Sequence, residues 1–207
     1  MLLHCGPIVK RQPRIAPAAR RRQILDVAAA LLTDSGVDSV QITTVALAVG
    51  VSRPLVYRLF PTRQTLLVAL LEDFVSSLHT RFQAALMRAL PGSLAEIVGA
   101  FVEACCEAIR ERGAGPWRLL DARGADPELT RLGRTTLGRL LQPWYGRIAE
   151  LSGLRPRRAE ALMWVVVATG RASLDAWLDG KASRKQAVHD TTRAVTALLR
   201  EFAGPAG

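Results

Sequence analysis

Apolar residues recur at helical spacing along most of this chain, and from Leu66 onward no stretch shows the period-of-two alternation of a half-buried strand. Near the N-terminus, Ile24, Ala28, Leu31 and Leu32 share one face and predict a helix over 20–35, with Gly36 as its stop. Residues 42–63, ITTVALAVGVSRPLVYRLFPTR, read as two short helices joined by a tight glycine turn. Further helices are predicted at 63–90, 94–112, 116–123, 127–151, 156–179 and 184–203. Breakers separate them: Pro61 and Thr62, Pro91 and Gly92, Gly113 to Pro116, Asp126 and Pro127, Gly153 to Pro156, and Gly180. The fold class is all-α, with a small N-terminal unit followed by a larger helical bundle.

The 42–63 stretch carries the most information. Ala46 permits close helix contact, and Gly50 takes the left-handed conformation that ends the first short helix. Val56 plugs the second helix back onto the first, and Val45, Val49, Val51 and Leu59 complete the seam. Ser52 stands where a side-chain cap opens the second helix, and Pro54 falls in its first turn, where no intrahelical donor is lost. Such a corner also occurs in α-helical proteins that touch no nucleic acid, so the flanking residues decide.

Those flanks complete a pattern. Ile24 and Leu25, Ala28 and Ala29, Gly36, Val45 and Ala46, Gly50-Val51-Ser52, Tyr57, Phe60, Arg63, and Leu66 with Leu67 stand in fixed order from Arg22 to Leu71. This segment resembles the DNA-binding domain of the TetR family of transcriptional regulators. Three departures are visible: Gln41 stands where the family commonly has a threonine, Leu59 replaces a frequent histidine, and Arg63 a lysine.

The resemblance implies a three-helix helix-turn-helix domain over 20–65 and a regulatory ligand-binding and dimerisation domain over 66–207. It implies a DNA-contacting set of Arg22, Thr43, Thr44, Ser52, Arg53, Pro54, Leu55, Tyr57, Arg58 and Arg63. Tyr57 and Arg63 would hold phosphates and set the register. Thr43 and Thr44 would touch the groove edge. Arg53, Pro54, Leu55 and Arg58 form the expected base-facing set, because arginine grips guanine with two hydrogen bonds and apolar groups meet the thymine methyl. Arg53 and Arg58 also read as solvated surface charges, and Tyr57 as a partly buried ring.

Charge agrees with a polyanionic partner. The chain has 28 Lys+Arg against 18 Asp+Glu, a net charge of +10. Residues 1–63 hold nine basic and three acidic residues, a net +6, so most of the excess sits beside the expected reader. Residues 1–19, with Pro7, Pro13 and Pro17, read as a flexible basic arm, either reaching a minor groove or serving as an inert leader. Cys5, Cys105 and Cys106 form no spaced framework, which fits a reducing cytoplasm. His4, His79 and His189 lie far apart and give no metal-ligand pattern. No cofactor is expected. No glycine-rich phosphate loop or catalytic grouping points to an enzyme. No segment approaches the ~20 apolar residues of a membrane span.

In the C-terminal part, Ala161 to Leu178 is apolar almost all round. With the amphipathic 184–203 helix it reads as half of a four-helix dimer interface through Ala168, Arg171, Ala172, Asp175, Val195 and Leu199, Arg171 and Asp175 forming an ion pair in the seam. A monomer whose last helices pack on its own core is the alternative. A ligand cavity is expected among Phe82, Phe101, Cys105, Trp117, Trp144, Tyr145 and Trp164, with Arg123, Thr136 or Gln142 as polar anchors, although plain core packing accounts for any one of them. The resulting expectation is a homodimeric repressor that a small-molecule effector releases from a palindromic operator. The competing expectation is a DNA-bound adaptor that senses no metabolite and acts through a protein partner.

Overall fold

The computed structural model describes residues 15–89, 91–120 and 127–202, apart from the side chains of 129, 143, 144, 147, 148, 151 and 152. Among them the chain forms α1 (Pro17–Ser35), a 3-10 turn (Val37–Ser39), α2 (Ile42–Val49), α3 (Arg53–Leu59), α4 (Arg63–Ala89), α5 (Leu94–Arg112), α6 (Ala114–Leu119), α7 (Pro127–Ser152), α8 (Pro156–Leu178) and α9 (Arg184–Phe202). No strand occurs among the described residues.

Two boundaries differ from the sequence pattern. Pro17, expected in the arm, opens α1, because its fixed φ suits the first helical position and its missing N–H would have no partner there. The helix expected over 116–123 instead spans Ala114–Leu119, entered from Gly113 at φ 84°. The rest of the expected 1–19 arm, residues 1–14, lies outside the described residues.

Helix ends follow local chemistry. Gly50, at φ 74° and ψ 37°, closes α2: its N–H donates to Leu47 O and the Val51 N–H to Ala46 O. Thr62 and Thr65 cap α4 reciprocally, each backbone N–H donating to the other hydroxyl at 3.1 Å. Ser93 and Glu96 do the same for α5, and those hydrogen bonds hold the Glu96 carboxyl below its usual range.

The larger part of the core runs without a break from the α1–α3 corner into the bundle. Ile24, Leu25 and Ala28 of α1, Val45 of α2, Val56 of α3 and Leu66, Leu67, Leu70, Leu71 and Phe74 of α4 join Val102, Cys106 and Ala108 of α5 in one buried cluster. Each fully buried leucine there contributes roughly 1.5–3 kcal/mol. A second cluster, with Leu141, Ala159, Leu162, Met163, Val195 and Leu199, seals the far end between α7, α8 and α9. Because α4 belongs both to the α1–α3 corner and to the bundle, a displacement of the bundle against α4 acts directly on the corner.

Candidate functional site

Helices α2 and α3 meet at 115°, within the range of a helix-turn-helix. The corner is locked from inside: Val45, Ala46 and Val56 are at most 1% exposed, and Phe60 is buried at the C-terminal end of α3. Pinning that face turns the other outward. Ser52, Arg53, Pro54, Tyr57 and Arg58 are exposed, Tyr57 by 46%, and Leu55 is half-buried. Neither Arg53 nor Arg58 pairs with a carboxylate among the described residues. Two free guanidiniums on a protruding, internally braced helix suit an anionic groove. Thr43 is exposed and Thr44 half-buried in the first turn of α2. Leu47, on the outer side of the same helix, is 83% exposed and carries no reading from the sequence pattern.

Three expected contacts are placed differently. Ser52 occupies the cap position of α3 with extended backbone, but its side chain accepts no hydrogen bond from the helix; the Leu55 and Val56 amides donate to the Ser52 carbonyl instead. Arg63, expected to hold a phosphate, donates from Nε to Val40 O at 3.0 Å and from Nη2 to Val37 O at 2.7 Å. It thereby ties α4 to the chain entering α2, sharing the Val37 carbonyl with the Val40 N–H and taking the Val40 carbonyl as well. Arg22 binds Asp26 on its own helix and Asp73 on α4, and Arg112 of α5 pairs with the other Asp73 oxygen at 3.1 Å. Hydrogen bonding to Asp26, then to Asp73, raises the Arg22 pKa further, so this arginine braces α1 against the bundle. Arg21 lies over the Phe60 ring at 5.2 Å and steadies the end of α3.

A cavity of about 530 Å³ lies inside the bundle, lined by α4, α5, α6, α7, α8 and α9, a size typical of small-molecule sites. Phe82, Phe101, Cys105 and Trp117 line it as the sequence pattern predicts. Phe82 and Phe101 meet edge to face at 5.1 Å. Burial pushes the Cys105 thiol far up, so it lines the wall as a neutral group. Tyr145 packs on the second core cluster, and neither it nor Trp164 lines the cavity. Thr136 faces a separate groove between α4 and α7, and Gln142 is exposed. Arg123 and the Trp144 side chain lie outside the described residues. Much of the wall comes from residues with no aromatic signal, among them Leu78, Met163, Val167 and Thr191. A small residue and a lone hydroxyl on otherwise apolar inward stripes, Gly170 and Thr191, are the sequence trace of that hollow.

The expected seam divides. Val195 and Leu199 are 4% and 3% exposed within the single chain, because α9 packs on its own bundle. Arg171 and Asp175 form the expected ion pair, with Nε 3.5 Å from Oδ2. Within the single chain they clamp Trp117. Trp117 Nε1 donates to Asp175 Oδ1 at 2.8 Å, Arg171 donates to the Trp117 carbonyl, and its guanidinium lies 5.0 Å over the indole. Ala168 and Ala172 remain outside, exposed on the same face of α8 as Ala161 and Val165.

From the clamp a short path leads to α1. Two residues before Trp117, the Gly115 N–H donates to Thr33 Oγ1 at 2.9 Å, and a Cβ on Gly115 would lie 2.7 Å from Leu32 Cγ and from the Thr33 nitrogen. Cavity-lining α6 and α1 of the N-terminal unit are thus in direct contact.

A braced corner with an exposed cationic face, joined to a hollow helical bundle, is the architecture of a helix-turn-helix unit carried on a larger all-helical body. Residues 24–70 match the family described as bacterial regulatory proteins, tetR family. Solved structures share the whole architecture. A TetR-like transcriptional regulator from Rhodococcus sp. RHA1 superposes with a TM-score of 0.66 at 21% identity, over 94% of this chain and 100% of that one. Two TetR-family regulators from Streptomyces coelicolor give TM-scores of 0.64 and 0.60 at 16% and 26% identity, covering 92% and 91% of this chain and 98% and 90% of theirs. No curated protein matched the sequence. The chain is thus a DNA-binding transcriptional regulator. Among the described residues no single helix is long and apolar enough to cross a membrane.

Proposed function

We propose that the protein is a repressor that binds a palindromic operator as a homodimer and leaves it when a small molecule fills the bundle. The carrying observation is the outward face of α3, where Arg53, Pro54, Tyr57 and Arg58 are exposed while Val56 anchors the opposite face. Arg53 and Arg58 read base edges, and Tyr57 with Thr43, Thr44 and Ser52 contacts the sugar-phosphate backbone. A single short helix covers too few base pairs for specificity, so two half-sites read by a twofold dimer supply the rest. The surface for pairing is the outer stripe of α8, Ala161, Val165, Ala168 and Ala172, whose small side chains let a second helix approach closely.

Effector response rests on the open hollow. Had the bundle collapsed around its aromatics, the adaptor reading would stand equal; a 530 Å³ cavity touching both α4 and α6 favours a ligand. Filling it pushes on Trp117 and on Leu78 and Phe82 of α4, and both routes end at the reader, through Gly115 against Thr33 and through α4 itself. A change in the spacing of two recognition helices lowers operator affinity, and coupling is reciprocal, so operator lowers effector affinity by the same factor.

Selection of bound fragments from the source genome, followed by fluorescence anisotropy over a salt series, tests the DNA part. Enrichment of an inverted repeat, with affinity falling steeply as salt rises, is the expected result. Failure to retain any genomic duplex in dilute buffer, with the protein folded and free of small molecules, overturns it.

A further inference from the structure

Resting on that reading, we infer that the bundle takes an amphiphile with an anionic head, its tail in the cavity and its head in the groove between α4 and α7. The observation behind it is a shared wall. Leu140 lines both the cavity of about 530 Å³ and the groove, which holds about 590 Å³. On α4 the division falls between chain neighbours, since Leu78 lines the cavity and His79 the groove. The two spaces therefore meet at a partition in which one side chain, Leu140, faces both.

The two sides differ in chemistry. Toward the cavity stand Leu78, Phe82, Leu137, Leu141 and Met163, a surface that favours hydrocarbon. Toward the groove stand Arg139, next in sequence to Leu140, and His79, both exposed, with Thr136 one turn before Leu140 on α7. Arg139 makes no ion pair among the described residues. A guanidinium is permanently charged and can donate twice to one carboxylate or phosphate. The groove's carboxylates lie farther along. Glu72 precedes His79 by seven residues, about 10 Å of helix. Glu128 precedes Arg139 by eleven and pairs with Arg131 at 4.0 Å. An anionic head at the partition thus meets Arg139 first, and at this exposed position it keeps part of its water, which spares the cost of burying a charge. The groove reaches Gln64, beside Arg63 and its bonds to the Val37 and Val40 carbonyls, so a head seated between α4 and α7 bears on the helix that carries the reader.

Full-length protein is titrated by calorimetry with decanoate, 1-decanol and decylammonium, and with the shorter hexanoate and octanoate, all below their aggregation thresholds. Operator release is read by anisotropy on the selected operator. Decanoate should bind about threefold tighter than 1-decanol and about tenfold tighter than decylammonium. From hexanoate to decanoate, each added methylene should tighten binding about two- to fourfold. Arg139→Glu, at an exposed position, should invert the order of the two ions and leave 1-decanol unchanged. Val167→Phe, which narrows the cavity from α8, should lower decanoate affinity about tenfold with the helical spectrum retained. Tighter binding of 1-decanol or decylammonium to the parent, an unaltered order in Arg139→Glu, no gain with chain length, or full decanoate affinity in a folded Val167→Phe overturns the site. No binding by any of these compounds also overturns it and leaves the DNA reading untouched. Decanoate binding with the expected profile but no operator release leaves the site standing and removes the effector response instead.

Discussion

Gly50 shows how one residue's backbone sets the reader. Its φ of 74° lies where a Cβ meets the following carbonyl, and nothing within 4 Å would obstruct a side chain sterically. The cost of Gly50→Val is therefore conformational: about 1–3 kcal/mol, read as a lower melting temperature; an unchanged melt removes the turn argument. Arg63 is the contrasting case, because its charge suggests a phosphate while its geometry serves two carbonyls. Lysine cannot fork between Val37 O and Val40 O, so Arg63→Lys should destabilise the fold by about 1–2 kcal/mol and leave the salt slope of DNA binding nearly unchanged. A stable Arg63→Lys with a reduced slope would return Arg63 to the phosphates. On the outer face, Arg53→Ala should cost about 1–3 kcal/mol at the preferred operator and relax its base preference. Tyr57→Phe should weaken binding by a similar factor on every sequence, and identical affinities for Tyr57→Phe and parent would exclude that contact. These roles were readable in advance to different depths. Val56 and Gly50 follow from local spacing alone, whereas Asp73, the cross-element partner of Arg22, and the Val37 carbonyl bound by Arg63 lie 51 and 26 residues away and no local rule reaches them.

At the scale of elements, helices and breaks were legible because apolar periodicity and Gly or Pro punctuation are local properties. What α6 does was not. Its six residues give little periodicity, and its importance comes from being trapped between Trp117's clamp and α1. Gly115 is required there by proximity, since its Cβ would meet Leu32 and the Thr33 backbone at 2.7 Å. Gly115→Ala should push α6 from α1, lengthen the Gly115–Thr33 hydrogen bond and lower stability by about 1–3 kcal/mol. Where the protein stays folded, it should also weaken the coupling between cavity and operator, measured as the ratio of operator affinities with and without a saturating ligand. An unchanged ratio would move the signal to α4 alone. Arg22, Asp73 and Arg112 join α1, α4 and α5 electrostatically, so α1 is held to the bundle at a second point besides its contact with α6.

At the scale of the whole molecule, the outer face of α8 decides how two readers are spaced. Sequence pattern marked α8 and α9 as apolar enough to be buried, but it does not say against what. The single chain answers half of that: α9 turns Val195 and Leu199 inward, and Arg171 and Asp175 turn to Trp117. A dimer through α8 is therefore built on Ala161, Val165, Ala168 and Ala172, with Val165 49% exposed in the single chain. A twofold interface meets any substitution twice, so Ala168→Glu would bring two carboxylates into one small-residue seam, where close backbone approach leaves no room to solvate them. Sedimentation of the parent should give about twice the 22.5 kDa chain mass, and Ala168→Glu should give the single-chain mass with an unchanged helical spectrum. Operator affinity should then fall to the level of a single half-site, because the bundle, not the reader, fixes the distance between recognition helices. A variant that still sediments as a dimer would place the twofold axis elsewhere on the bundle.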